Sequence, residues 1–481
     1  MLFFSFAKPW GLESDFWDTA AAVRELSVHP LDPVHPLYAL PGRASPRLNP
    51  HTLLWGLVKK LTRLDIFTTM GLAGLANFIL LAAGLYLFIS GKFKSRSLPI
   101  YVFFIMIWVW GSGYGHSNAY NLETLLVTLP LTSVFAFGLS LMALHFLDRY
   151  LALNRRNDLF LYAVISALAF VSHPVTGSFC YVAALGLLLE AGNWRRAIIL
   201  QCIPLVALGG ALLWPYFSYW DLFTKNLVIE ESRSPLFSRQ IQALGSALVG
   251  LPVIMIYALK RKHAFVLYGF AFCSILYGVS FLAGIQIGGR YILFAAFFLH
   301  LSVALYLEET EILSFPRVRD SFRTDGAWLI LLFVLFVVPG LSRIKDMSGQ
   351  LFGYASPIKP YLFLSRHLSG DDVVLASDWR EGYPLPAVTG ARIVEPRHFF
   401  TLLIKEESAR RKKDAAAFFR GDLTREERLE ILTRYRATHL LLDLKDEPGW
   451  HPSFRDTLGD LGTEIASEGQ VVLYRIKPAT G

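Results

Sequence analysis

The sequence predicts a polytopic α-helical membrane protein of about ten or eleven spans, with a small soluble α/β domain at its C-terminal end. Three observations carry that prediction. Apolar residues make up 54% of the 481 positions and charged residues only 17%. The apolar residues fall in blocks of about 18–25, the length a helix needs to cross ~30 Å of hydrocarbon. After Gly340 those blocks give way to short apolar runs of strand length. Only helices and closed barrels can span a bilayer, because hydrocarbon offers backbone amides no other partner.

Candidate spans lie at about 69–90, 98–112, 124–148, 158–172, 175–191, 197–217, 240–259, 263–285, 288–308 and 326–343. Lys92, Lys94 and Arg96 follow the first, and Arg149, Arg155 and Arg156 the third. Arg195 and Arg196 follow the fifth, Lys260, Arg261 and Lys262 the seventh, and Arg317, Arg319 and Arg323 the ninth. The alternate loops carry few cations. The loop at 218–239 has Lys225, Arg233 and Arg239, balanced by Asp221, Glu230 and Glu231. Positive charge marks the cytoplasmic side, so residues 11–65 and 344–481 are expected outside the cytoplasm. The pair 158–172 and 175–191 is short, and Ser172-His173-Pro174 leaves two spans or a re-entrant hairpin open; both return the chain to the same side. Residues 1–10 resemble the last turns of a helix, so either the start is truncated or the N-terminus stays outside.

Two modules follow: a membrane module at 1–343, with its first external loop at 11–65, and an external domain at 344–481. In the latter, 372–376, 439–444 and 470–476 read as strands. Thr424-Arg425-Glu426-Glu427 is a capping box opening a helix to about Arg436. The charged run 405–413 reads as a solvated helix face. The net charge of +8 sits largely in short orienting loops and is no nucleic-acid signal. Cys180, Cys202 and Cys273 lie inside apolar stretches and imply no disulfide framework. There is no Gly-rich phosphate loop, no His-Glu-x-x-His and no Cys-x-x-Cys.

The chemically interesting residues face the external side. Residues 11–52 run from the acid cluster Glu13-Ser14-Asp15-Phe16-Trp17-Asp18 through a short amphipathic helix at 19–26 into a Pro- and His-rich stretch. That stretch ends in Ser45-Pro46-Arg47-Leu48-Asn49-Pro50-His51. Asp15 and Asp18, three apart, would share a helix face. A partly desolvated carboxylate at the lipid boundary suits a general base, while an acid in a first turn also simply stabilises the helix. His116 and Asn118 stand in the Gly-rich turn 113–121, where donors could hold sugar hydroxyls and where any tight turn uses the same residues. Glu123 opens the next helix. His173 is either a ligand for substrate or a hydrogen-bonded packing residue. Arg290, with Tyr291 behind Gly288-Gly289, is an anion site at a helix start or a snorkelling cation.

On Asp15-Phe16-Trp17-Asp18 through Arg24, Asn118-Ala119-Tyr120-Asn121-Leu122-Glu123, His173-Pro174-Val175-Thr176-Gly177 and Gly289-Arg290-Tyr291, the chain resembles the GT-C superfamily of integral membrane glycosyltransferases. The tail, with Tyr383 to Gly390 and the run Arg434 to Leu440, is similar to tails of uncharacterised prokaryotic members. The resemblance implies inverting transfer from a polyprenyl-phosphate-linked sugar to an extracytoplasmic glycan, lipid or protein acceptor. It implies Asp15 as catalytic base, with Asp18 beside it. It leaves a divalent metal open and names no other cofactor. On this reading Arg290 stabilises charge on the leaving phosphate, and Asp15 and Arg290 share one cavity. Two readings from other classes stand beside it: a translocase of lipid-linked glycan and a non-catalytic glycan-binding membrane protein.

Overall fold

The structure, a computed structural model, describes residues 14–40, 45–111, 120–192, 200, 202–226, 237–238, 240–310, 359–378, 382–395 and 404–477. The described residues form two compact units. One gathers those within 71–213 and 227–310; the other gathers those within 14–70, 214–226 and 359–477. Residues 14–65, grouped on sequence with the membrane module, thus cluster with the C-terminal domain.

The helical unit has the polytopic membrane architecture expected. Five helices among the described residues are long and apolar enough to cross a bilayer: Ile66–Phe93, Thr132–Leu153, Gln240–Lys260, Ala264–Leu282 and Gln286–Glu309. Leu98–Trp108, Pro174–Glu190 and Cys202–Leu212 are shorter apolar helices. The span expected at 326–343 lies outside the described residues. Helices Arg156–Ser172 and Pro174–Glu190, 17 residues each, are joined through His173 alone. At 1.5 Å per residue each is about 25 Å long.

Two expected spans are interrupted. The run at 124–148 is broken into Leu122–Thr128 and Thr132–Leu153, because Pro130 has no N–H to continue the ladder. Two carbonyls flanking the break are held by a side chain: Nδ2 of buried Asn77 donates to Leu129 O at 2.8 Å and Leu131 O at 3.3 Å. The run at 240–259 passes through a 3₁₀ turn at Gly245–Val249. Gly245 takes φ +47, and a Cβ there would stand 2.3 Å from Gly111 Cα. Elsewhere, Gly84 lets helix Ile66–Phe93 approach Thr132–Leu153, since a Cβ would meet Gly138 O at 2.5 Å. The core between helices is aromatic, with Phe137, Phe179 and Phe294 in offset stacks 4.8–6.5 Å apart.

The loops that sequence assigns to one side meet at one end of this unit. Lys92 lies between Asp148, at 3.5 Å, and Glu190. Glu190 accepts from Phe265 N at 3.3 Å, and Glu309 pairs with His263 at 2.7 Å. These contacts connect the far ends of the first, third, fifth and ninth spans with the loop after the seventh. Cys180 and Cys273 are buried, Cys202 is exposed, and all three are free thiols.

The C-terminal domain carries a five-stranded sheet in the order β2-β1-β3-β5-β4. Strands β1 (Val373–Ala376), β3 (His439–Asp443) and β5 (Val471–Ile476) match the three runs read from sequence. β1 runs parallel to β2 (Arg392–Ile393) and to β3, whereas β5 is antiparallel to β3 and β4 (Gly462–Glu468). β4 is a polar edge strand, turned onto β5 through Gly469 at φ +63. The capping box is present: Glu427 N donates to Thr424 Oγ1 at 3.2 Å and Thr424 N to Glu427 Oε2 at 2.7 Å. Helix Lys405–Arg420 corrects the solvated-face reading in one respect. Arg411 is buried, its guanidinium over the Tyr38 and Tyr435 rings at 5.2 and 4.7 Å.

Candidate functional site

The acid cluster is helical and enclosed. Helix Ser14–Val28 begins at the cluster, with Asp15 in its first turn. It was expected to be amphipathic, yet residues 16–23 are all buried. Ala20, Ala21 and Ala22 explain how: small side chains admit neighbours on every face. Helix Pro50–Thr62 packs on one side, where a Cβ at Gly56 would lie 2.7 Å from Leu26 Cβ. The C-terminal domain covers another. Arg24 donates to Ala387, Val388 and Thr389 carbonyls at 3.3, 2.6 and 2.8 Å. Gly390, at φ +87, leaves room for that guanidinium. Glu25, almost fully buried, pairs with Arg392 at 2.5 Å.

The Pro-rich stretch continues this docking through a single β-bridge at the sheet edge. Ile393 N donates to Leu37 O at 2.8 Å, and Tyr38 bridges Ile393 in parallel. The outer edge of β2 is therefore covered, as exposed edges in natural sheets commonly are. His35 shapes the turn into it: Nδ1 accepts from Leu37 N and Tyr38 N, both at 3.2 Å. Burial, only partly opposed by the Asp18 charge, lowers its pKa to about 3.

Asp15 and Asp18 do share one helix face, and Arg47 stands across it. Its Nη2 is 2.5 Å from Asp15 Oδ1 and 3.7 Å from Asp18 Oδ2. The side chains differ sharply in access: Asp15 is 31% exposed, Asp18 1%. Asp18 Oδ1 also accepts from the Tyr383 hydroxyl at 2.7 Å. Burial works against the Arg47 charge, but Asp15 and Asp18 outweigh it and hold the guanidinium above its usual range. Burial first, and then the Asp18 charge, push the Tyr383 phenol well up, so it stays a neutral donor.

Arg47 is fixed by a local motif. Asn49 Oδ1 accepts from His51 N and Thr52 N at 3.1 and 3.3 Å, while Thr52 Oγ1 accepts from Asn49 N at 3.0 Å. That box caps helix Pro50–Thr62, and Thr52 Oγ1 donates back to Arg47 O at 2.5 Å. Neither Arg47 nor Tyr383 was singled out as a site residue from sequence. Arg47 has one visible cue, its place just before an Asn-Pro-x-Thr cap. Tyr383, 365 positions from Asp18, opens a tail segment that carries the resemblance, with nothing in it to link it to the acid cluster.

The other candidates belong to the helical unit. His116 and Asn118 lie outside the described residues. Glu123 is on helix Leu122–Thr128, which Asn121 caps by accepting from Thr124 N at 2.8 Å. His173 caps helix Pro174–Glu190, its Nδ1 accepting from Thr176 N at 3.2 Å. Arg290 ends a 3₁₀ turn at Gln286–Arg290 and immediately precedes helix Tyr291–Glu309. Gly288 is needed there because a Cβ would overlap Ser280 Oγ at 1.8 Å. The Tyr291 amide is already engaged by the Gly288 carbonyl, and its hydroxyl lies 2.7 Å from Ser178 Oγ. Among the described residues no group of three or more His, Cys, Asp or Glu side chains could hold a metal ion.

No protein-family profile and no curated protein sequence matches the chain. Solved structures do. The oligosaccharyltransferase of Archaeoglobus fulgidus in its apo form is similar at TM-score 0.56 and 12% identity, over 90% of this chain and 66% of that one. The archaeal oligosaccharyltransferase AglB from the same organism, in complex with an inhibitory peptide and a dolichol-phosphate, gives TM-score 0.52 and 11% identity, covering 96% and 71%. The Archaeoglobus fulgidus oligosaccharyltransferase tethered to an acceptor peptide containing the NVT sequon gives 0.54 and 10%, covering 97% and 70%. The chain spans about two thirds of the length of these proteins. The likeness is one of fold.

Proposed function

We propose that the chain is a membrane glycosyltransferase that takes a sugar from a polyprenyl-phosphate-linked donor and delivers it, with inversion, to an extracytoplasmic glycan, lipid or protein. The observation that carries the reading is the acid pair on helix Ser14–Val28. One carboxylate is accessible and the other enclosed, with a buried guanidinium between them. The fold likeness to the archaeal oligosaccharyltransferases supports it, as does the alternation of basic and cation-poor loops in the sequence.

In the proposed reaction the acceptor hydroxyl or amide attacks the anomeric carbon from the side opposite the phosphate. The bond from that carbon to the phosphate oxygen breaks, and its electron pair leaves with the polyprenyl phosphate. Asp15, the more exposed acid, takes the acceptor proton and later releases it to water. Arg47 holds Asp15 in place, and Asp18 sits behind it, enclosed. Arg290 is assigned the developing charge on phosphate, and His116, Asn118, Glu123, His173 and Tyr291 contacts to the substrates. Any divalent ion at the acid pair would have to displace Arg47 from the ground between the two carboxylates.

The test uses the intact protein in lipid nanodiscs with a panel of polyprenyl-phosphate-linked hexoses and pentoses, products being read by mass spectrometry. Asp15→Asn should lower transfer by about 10²–10⁴-fold, the range for a lost general base, while expression is unchanged. Wild-type turnover in that variant removes Asp15 from the mechanism. No transfer by the wild type from any donor of the panel defeats the reading.

A further inference from the structure

We infer that the C-terminal domain completes the acid pair: Tyr383, through its hydroxyl on Asp18, is a positioning residue for sugar transfer, and the domain is part of the active site and not a separable recognition module. This rests on the function proposed above and deepens it. Asp18 is enclosed, and a carboxylate taken out of water must keep hydrogen bonds to stay charged. Tyr383 supplies one of them at 2.7 Å from a ring that is itself 4% exposed. Arg47 is common to both acids, closer to Asp15 than to Asp18. With Oδ1 of Asp18 served by the phenol, the guanidinium is left to lean toward Asp15, the acid that would meet the acceptor.

The clamp extends along the helix. Asp18 and Glu25 are seven apart, two turns on one face, and both are held by the C-terminal domain, through Tyr383 and Arg392. Arg24 adds three carbonyl contacts between them and the end of helix Leu385–Val388. The short segment from Tyr383 to Arg392 therefore grips the acidic helix at both ends. A domain that only bound acceptor would have no need to engage the acid itself.

The experiment measures transfer against pH for wild type, Tyr383→Phe, Asp18→Asn and the double variant, using the donor of the panel that wild type turns over fastest. Tyr383→Phe keeps the ring and removes one hydrogen bond to a charged group, a change worth about ten- to hundredfold. That loss is expected in kcat, with the donor KM unchanged. The acid limb of the profile should move to higher pH, because Arg47, drawn toward Asp18, then favours the charged form of Asp15 less. In the Asp18→Asn background, where the Asn oxygen still accepts but carries no charge, Tyr383→Phe should add only a small further loss, well below its effect on wild type. A merely structural tyrosine would lower the melting temperature and leave the profile where it is. An active Tyr383→Phe protein with wild-type kcat and profile, or effects that multiply in the double variant, overturns the inference alone. An inactive wild type overturns the functional reading and the inference with it. Should Tyr383→Phe not fold, 3-fluorotyrosine at 383 replaces it: a stronger donor of the same shape should move the acid limb to lower pH, and an unmoved limb refutes the role.

Discussion

Lowering the pH should loosen the docking of the Pro-rich stretch through one residue, His35. Its imidazole accepts two backbone N–H bonds through Nδ1 and lies against the Tyr38 ring at a tilt, ring centroids 4.9 Å apart. The pKa falls from the ordinary 6.5 to about 3 in the folded chain, burial being the main cause. The sign follows from linkage. Below pH 6.5 the unfolded chain takes up a proton that the folded chain refuses, so stability declines as pH drops toward 3. Between pH 7 and pH 5 that difference amounts to about 2 kcal/mol from this one side chain. Unfolding of the intact protein in detergent, followed by tryptophan fluorescence across that range, reads the slope. His35→Asn is the control, because an Asn side-chain oxygen can accept the same turn bonds and does not titrate. The variant should be less stable at pH 7 through lost packing but flatter by about 2 kcal/mol from pH 7 to 5. Parallel slopes for the two proteins would refute the reasoning.

Further outcomes follow from packing and buried charge. Arg428→Met removes the donor that serves the Phe418 and Gly421 carbonyls and Ser453 Oγ at 2.9–3.0 Å. Stranding those acceptors should cost about 3 kcal/mol or more, seen as a lower unfolding midpoint. Glu25→Gln leaves Arg392 without its buried counter-charge and should cost about 3–5 kcal/mol; protease cleavage within 29–40 reports the released stretch. Gly288→Ala drives a methyl into Ser280 and should cost about 1–3 kcal/mol. Ser280→Gly should restore most of it, and no restoration would mean the contact is not the cause.

What could be read from sequence divides along a physical line. A helix in hydrocarbon must be apolar on every face, so hydropathy alone points to the five long apolar helices among the described residues, and the charge of Lys92, Arg149 and Lys262 to a common end. The break at Pro130 was passed over because Leu129 and Leu131 keep the run apolar, and hydropathy does not register a missing N–H. β3 announces itself by five consecutive buried residues, whereas β4, with Thr463, Glu464 and Ser467 on an exposed edge, has no apolar pattern to notice. Asp15 and Asp18 were legible because acids are rare beside membrane segments and three residues make one helix face. Arg47 and Tyr383 were not, because their meaning is a distance across the fold. The amphipathic reading of 19–26 failed for a related reason: an alanine-rich helix carries little polarity contrast, and only its neighbours decide which faces are covered.

The route of the chain through the second unit has a consequence for biogenesis. Residues 14–40 leave the ribosome before the helices within 66–309, yet the edge of β2 that receives them is made long afterwards. At synthesis rates of about 5–20 residues per second, the 365 residues separating Asp18 from Tyr383 correspond to roughly tens of seconds. Through that interval the acidic helix has no Tyr383, Arg392 or Gly390 to lie against, and Arg24 lacks the carbonyls that hold it. A nascent chain stalled before residue 380 should therefore be cut by trypsin at Arg24, which the finished protein protects.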